Sequence, residues 1–212
     1  SCIMEEDPDQ NISDLKMQLQ NLEQKKFSSS FSVGIVGKKN TGKTSLKNLL
    51  NQEKYLNVLE KDIFTNIDFD VDIIIVLVSE DLTYSEWEKI QLLHQRYYPC
   101  LIAFNKQDQY EKEDKKVIIE KIRQQVKPII DPNNVTSINS TSIKIKNLQY
   151  NSDGSSEKWI EKQPPNIISL VSRLKIFETD NKQQLLLARN WRKAIEIKQQ
   201  TKTISNVVKY NK

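Results

Sequence analysis

The stretch GKKNTGKT, residues 37–44, follows the apolar run FSVGIV and leads into TSLKNLL. It matches G-x-x-x-x-G-K-[ST] at every fixed position, between a strand-like run and a helix-like one. Gly37 and Gly42 permit backbone angles that turn successive N–H groups into one concavity, a nest for anionic oxygens. The helix behind the loop aims its positive dipole end at the same point. Lys43 adds a point charge for the outer phosphates of a nucleotide, and Thr44 adds a hydroxyl suited to Mg2+. The bland alternative is a glycine turn with exposed lysines.

A second loop, NKQD at residues 105–108, directly follows the apolar run CLIAF. A carboxylate at Asp108 would accept from the N1–H and 2-amino group of guanine. Adenine lacks that donor pair and would leave a buried carboxylate unpaired. Asn105 would bond the O6/N7 side and tie its loop to the cradle. Lys106 would lay its aliphatic stem along the base. Asn and Asp are ordinary turn residues, so the order of the two loops carries the signal.

Together these two motifs resemble the G domains of the translation-factor superclass of small GTPases. Asn40, in G-x-x-N-x-G-K-T, is similar to the Era- and TrmE-like branch. The layout VDIIIVLVSEDLTYSEWE…CLIAFNKQD also looks like immunity-related and dynamin-like GTPases. The resemblance covers residues 31–176. It implies a P-loop NTPase-like fold with GTP or GDP as ligand and Mg2+ as cofactor. Gly37, Lys38, Asn40, Thr41, Gly42, Lys43, Thr44 and Ser45 would hold phosphates, ribose-side contacts and the metal. Asn105, Lys106 and Asp108 would read guanine. The family's last turn falls at Asn139–Thr141, where only backbone contacts at Ser140 and Thr141 are implied.

The family also needs a D-x-x-G turn and a switch Thr, and no D-x-x-G occurs in this chain. Between the first helix and VDIII lies EKYLNVLEKDIFTNIDFD, enough for one strand, so the switch region near 55–68 is short or omitted. Three readings remain. One is a slow GTPase switch, in which Lys43 and Thr44 are the catalytic candidates: they help neutralise the transferred phosphoryl group while a water attacks in line. No Gln or Arg stands out to orient that water. Another is a nucleotide-binding scaffold within a larger assembly. The third is an ATP-using P-loop enzyme, against which NKQD argues.

The elements that must place these residues are legible from hydrophobic patterning. FSVGIV (31–36), VDIIIVLV (71–78), CLIAF (100–104) and NVTSIN (134–139) read as buried strands of a parallel sheet. Helical patterns alternate with them, which predicts an α/β doubly wound domain with a mostly parallel sheet and helices on both faces. Ser85 and Glu88 are expected as a capping box for the helix after the second run. A helix led by prolines is expected over 164–174, and NLQYNSDGSSEKWIEKQ reads as a polar insertion or loop. The domain spans 29–176. Residues 1–28 form a helical extension and linker, with Ile12, Leu15, Leu19 and Leu22 at heptad-like spacing and Asp14 near the helix start. Residues 177–212 form a C-terminal helical extension, expected over 181–212 as one long helix or two, with KQQTKT interrupting its apolar content.

Composition bounds the partners. Net charge is +4, too mild to imply a nucleic acid. The charge is asymmetric, with six acids and one Lys in residues 1–24 against eight Lys or Arg and one Glu in 181–212. A protein partner is expected through these terminal helices. Two cysteines, Cys2 and Cys100, form no disulfide framework, so an intracellular, cytoplasmic setting is expected. His94 is the sole histidine, which argues against a transition-metal site. The chain starts without Met and stops inside a helical pattern, so it reads as a piece of something longer. Membrane contact is expected only beyond Lys212.

Overall fold

The computed structural model describes residues 31–53, 57–65, 70–106, 109–150, 156–180 and 182–210. The expected N-terminal helix and Asp108 lie outside the described residues. Strands β1 (Ser32–Gly37), β3 (Ile73–Val78) and β4 (Cys100–Phe104) are buried at every position. They are therefore central, and β2 (Asn57–Asp62) and β5 (Val135–Ser137) form the edges. All five run parallel in the order β2-β1-β3-β4-β5.

Both faces of the sheet are covered. Helix α1 (Lys43–Gln52) follows β1, and α2 (Tyr84–Gln95) follows β3; α3 (Lys112–Val126) and α4 (Ile168–Asp180) come later in the chain. Val33, Ile35, Ile73, Ile75 and Leu77 meet Leu46 and Leu50 of α1 and Leu170 and Leu174 of α4. Their strand neighbours Val36, Ile74, Val76 and Val78 point the other way, onto Ile90 and Leu93 of α2 and Ile122 of α3. Each such side chain contributes about 1.5–3 kcal/mol on burial. The fold is α/β and P-loop NTPase-like. β1 has β2 on one side and β3 on the other, so the strand order reverses there and opens a crevice at the carboxyl ends of the strands.

Three local expectations are corrected, and one open alternative is decided. The stretch expected as a polar insertion or loop, residues 147–163, holds the second half of β6 (Ile143–Tyr150) and all of β7 (Ser156–Gln163), paired antiparallel in a sheet of their own. Just ahead of that stretch β6 opens on a period-two signal, Ile143-Lys144-Ile145-Lys146, and a β pair satisfies its backbone without a hydrophobic run. The capping box is Thr83 with Glu86, not Ser85 with Glu88. Glu86 is drawn to that register by Lys38, 2.9 Å away. The proline-led helix begins at Ile168, after Asn139 and Asn166 have paired as an isolated bridge. Of the one helix or two expected at the C-terminus the structure shows one, α5, which runs through KQQTKT from Lys182 to Tyr210. Thr201 and Thr203 donate their hydroxyls to the carbonyls of Ile197 and Gln199, so their polarity is absorbed within the helix.

Helix α5 docks at the amino ends of the strands. Leu185 enters the core beside Leu174. Arg189 donates to Asp70 at 2.7 Å and lies 3.6 Å from the fully buried Asp72, which accepts from the backbone and hydroxyl of Ser32. Arg192 donates to the carbonyls of Val71 and Tyr97 and lies over the Tyr98 ring. Among the described residues no helix is long and apolar enough to cross a membrane.

The Arg189 bond, opposed by partial burial and helped by Lys193, holds the Asp70 carboxyl at about 2 rather than 3.8. The charged form is the one favoured in the fold. Its contribution is thus present above pH 3.8 and lost as pH falls through about 2. Asp70 is half exposed, so solvent screening limits the effect to about 1 kcal/mol or less. Asp70→Asn should unfold at lower urea than wild type at neutral pH, and the deficit should shrink as pH falls from 3.8 toward 2. A deficit that does not change over that range would show that the ion pair is not the tie.

Candidate functional site

The crevice at the β1/β3 switch point is lined by the residues the sequence singled out. β1 ends at Gly37, where a Cβ would lie 2.5 Å from the Leu77 carbonyl oxygen. Only glycine lets the chain leave the sheet this close to β3. The loop then turns on Thr41, whose hydroxyl donates to the Lys38 carbonyl at 2.9 Å, and passes Asn40 in the left-handed region at φ 65. Gly42 caps α1 at φ 98, and a Cβ there would meet the Asn105 amide nitrogen at 2.5 Å. Lys43 folds back across the loop and donates to the carbonyls of Gly37 and Lys38. Its ammonium therefore sits over the concavity. Ser45 follows in the first turn of α1, half-buried.

The second loop is tied to the first through one buried amide. The Asn105 amide nitrogen donates to the Thr41 carbonyl and to the Ser140 hydroxyl, both at 2.8 Å. Its carbonyl accepts from the Ser140 N–H at 2.9 Å. Cradle, base loop and last turn thus meet at a single side chain. Tyr110 steadies the loop from its far end, donating to the Ser79 carbonyl and stacking near Phe104. Lys106 lies beside Asn105, half-buried and left-handed at φ 57. Thr141 is exposed beyond Ser140.

Two carboxylates enter that the sequence reading did not assign. Glu60, on β2, accepts from the Thr44 hydroxyl at 3.1 Å, while its other oxygen is buried without a hydrogen-bond partner. A buried carboxylate oxygen left open is costly. A hydroxyl and a carboxylate side by side are hard donors of the kind Mg2+ takes, and Mg2+ needs few protein ligands because it keeps waters and substrate oxygens. The residues present therefore fit that ion. Among the described residues, no group of three or more His, Cys, Asp or Glu is placed to hold a metal by itself. The second carboxylate, Glu86, takes the Lys38 ammonium, with Glu80 3.3 Å away. Lys38 thus offers the concavity its backbone, and its side chain braces the loop against α2. Glu60 sits in no motif, whereas Glu86 is the third helical position of the Thr-x-x-Glu capping box at Thr83. Glu60 had one local signal, its place on the strand that follows α1.

Comparison with solved structures finds the translation elongation factor SelB of Methanococcus maripaludis in complex with the GTP analogue GppNHp. Identity is 16%, coverage 53% of this chain and 31% of that one, and the TM-score 0.40. It also finds the complex of SsGBP with GDP, at 19% identity, 59% and 50% coverage, and a TM-score of 0.39. This chain thus spans from about a third to half the length of those proteins. Superpositions this loose say nothing of what the crevice takes. No family model matches the chain. No curated protein matches it either.

The Asn105 junction makes a prediction that needs no ligand. Asn105→Ala strips three hydrogen bonds and leaves the Ser140 N–H unpaired, which should destabilise the fold by about 1–3 kcal/mol. Urea unfolding of the protein alone checks it; a loss within the noise of a surface substitution would mean that the junction is not what joins the loops.

Proposed function

We propose that the crevice binds a guanine nucleotide with Mg2+, and that the domain is a slow GTPase working as a switch. The observation that carries this reading is the Asn105 side chain, which couples an anion-binding loop to a base-side loop at hydrogen-bond distance. In this reading the N–H groups from Gly37 to Ser45 and the α1 dipole meet the phosphates. Lys43 leaves the carbonyls of Gly37 and Lys38 for the phosphate oxygens. Thr44 and Glu60 hold Mg2+, which when bound supplies positive charge against the phosphoryl oxygens. Asn105, Lys106 and Asp108 read guanine, while Ser140 and Thr141 approach the base with their backbone.

Turnover is slow in this reading because neither the cradle nor the turn at 62–65 contains a Gln or Arg to position water. The scaffold reading is favoured by one feature. The turn after β2 closes on itself, with Phe64 and Thr65 both bonded to Asp62, in place of a D-x-x-G loop. Protein contacts of such a scaffold would fall to the terminal helices.

A ligand at a hundredfold excess over Kd that binds only the folded state adds about 2.7 kcal/mol. GDP with Mg2+ should do this, and ATP should not. Lys43→Ala and Thr44→Ala should lose the effect, Glu60→Gln should lose its dependence on Mg2+, and Asp108→Asn should shift preference toward xanthine. Equal response to ATP and GDP would sink the guanine reading. A switch gives the non-hydrolysable GTP analogue and GDP different stabilisation, because a ligand indifferent to two states shifts neither; equal values select the scaffold.

A further inference from the structure

The hairpin of β6 and β7 sorts its charges by face. Successive residues of a strand alternate between faces, and residues directly opposite each other in an antiparallel pair share one. The register therefore puts Lys144, Lys146, Lys158 and Lys162 on one face, with Leu148 and Ile160 between them. Glu157 and Glu161 fall on the other. None of the eight cross-strand pairs joins a Lys to a Glu, and Lys144 stands directly opposite Lys162. Like charges in that position work against the pairing of the strands. This charge is therefore not what holds the hairpin together. Lys144 and Lys162 are both exposed, and no carboxylate among the described residues pairs with either. Ile160, among the lysines, is 64% exposed.

The hairpin stands on a fixed base. Asn139 and Asn166 exchange two backbone hydrogen bonds of 2.8 Å at its root, and Asn105 holds the neighbouring Ser140. Strands of 8 residues carry the lysine face about 26 Å out from that root. We propose that this face lies on a bilayer surface that carries acidic phospholipids. The lysines meet the anionic headgroups, and Ile160 enters the boundary of the acyl chains. Tyr150 closes the same face at the turn end, and Tyr is a residue type enriched at membrane interfaces. Two features favour lipid over nucleic acid. The hairpin contains no Arg, whose planar fork suits phosphates and base edges. The residues between the lysines are aliphatic and have no ring to stack on a base. A second copy laying its glutamate face here is disfavoured, because Glu161 is already engaged within its own chain.

Co-sedimentation of the full chain with vesicles tests the assignment. Vesicles of phosphatidylcholine mixed with phosphatidylserine should carry the protein down, and phosphatidylcholine alone should not. Binding should weaken as salt rises. Each lysine near an acidic surface strengthens binding about fivefold, so Lys144→Gln with Lys162→Gln should weaken it about thirtyfold. The same pair of changes removes the like-charge opposition, so this variant should keep at least the wild-type urea midpoint. Ile160→Ser should weaken vesicle binding at high salt as well as at low salt. Lys198→Gln with Lys202→Gln removes equal charge from exposed positions on α5 and should change binding little. No preference for the acidic vesicles overturns the proposal, and so does an equal loss from the α5 pair. Tighter binding to a duplex RNA, lost in Lys144→Gln with Lys162→Gln, would assign the face to nucleic acid instead. Oligomers that the same variant disperses would assign it to a second copy; either result overturns the lipid assignment.

Discussion

The Asn105 side chain is the interaction on which the functional end depends. It is 1% exposed, and it bonds residues that lie 64 and 35 positions away along the chain. An amide has two donors and one carbonyl acceptor, so it can hold the cradle and the last turn together while an aspartate could not. Gly42 has no Cβ because this amide occupies the space. The loops at residues 37–44 and 105–106 are therefore set relative to each other by the fold itself.

The charged groups around the loop of residues 37–44 differ in how fully the fold occupies them. Lys43 rests on carbonyls of its own loop, and Glu60 shares one oxygen with Thr44 while the other is unpaired. Lys38 differs. Burial opposes its charge, yet the Glu86 and Glu80 carboxylates together outweigh burial and raise its pKa. It is committed to structure, locking the loop onto α2. Lysines of one loop thus differ: Lys38 meets carboxylates outside the loop, and Lys43 meets carbonyls within it.

The opposite end of the sheet follows another logic. Asp72 is fully buried, with one oxygen bonded to Ser32 and the other without a hydrogen-bond partner. Arg189 answers its charge and carries α5 with it. The amino ends of the strands thereby hold the C-terminal helix, and the carboxyl ends are left to the crevice. Separating the two lets docking at one end proceed without altering the geometry at the other.

The sequence by itself determined the strand-to-helix turn at residues 37–44, the central strands and the single strand expected between α1 and β3. Their signals are contiguous: glycines at fixed spacing, unbroken apolar runs, and a segment too short for more. Tertiary structure alone decided the rest. Glu60 joins the site because β2 pairs with β1 in parallel and carries it to Thr44, 16 residues away. The capping box at Thr83 was settled by an ion pair from the cradle. The hairpin of β6 and β7 lacks an apolar run because its strands bond to each other and not to the main sheet. Helix α5 stays whole through a polar stretch because docking at Leu185, Arg189 and Arg192 anchors it and its threonines bond inward. Local patterns record which face is buried; they do not record which distant charge will be there to meet a side chain.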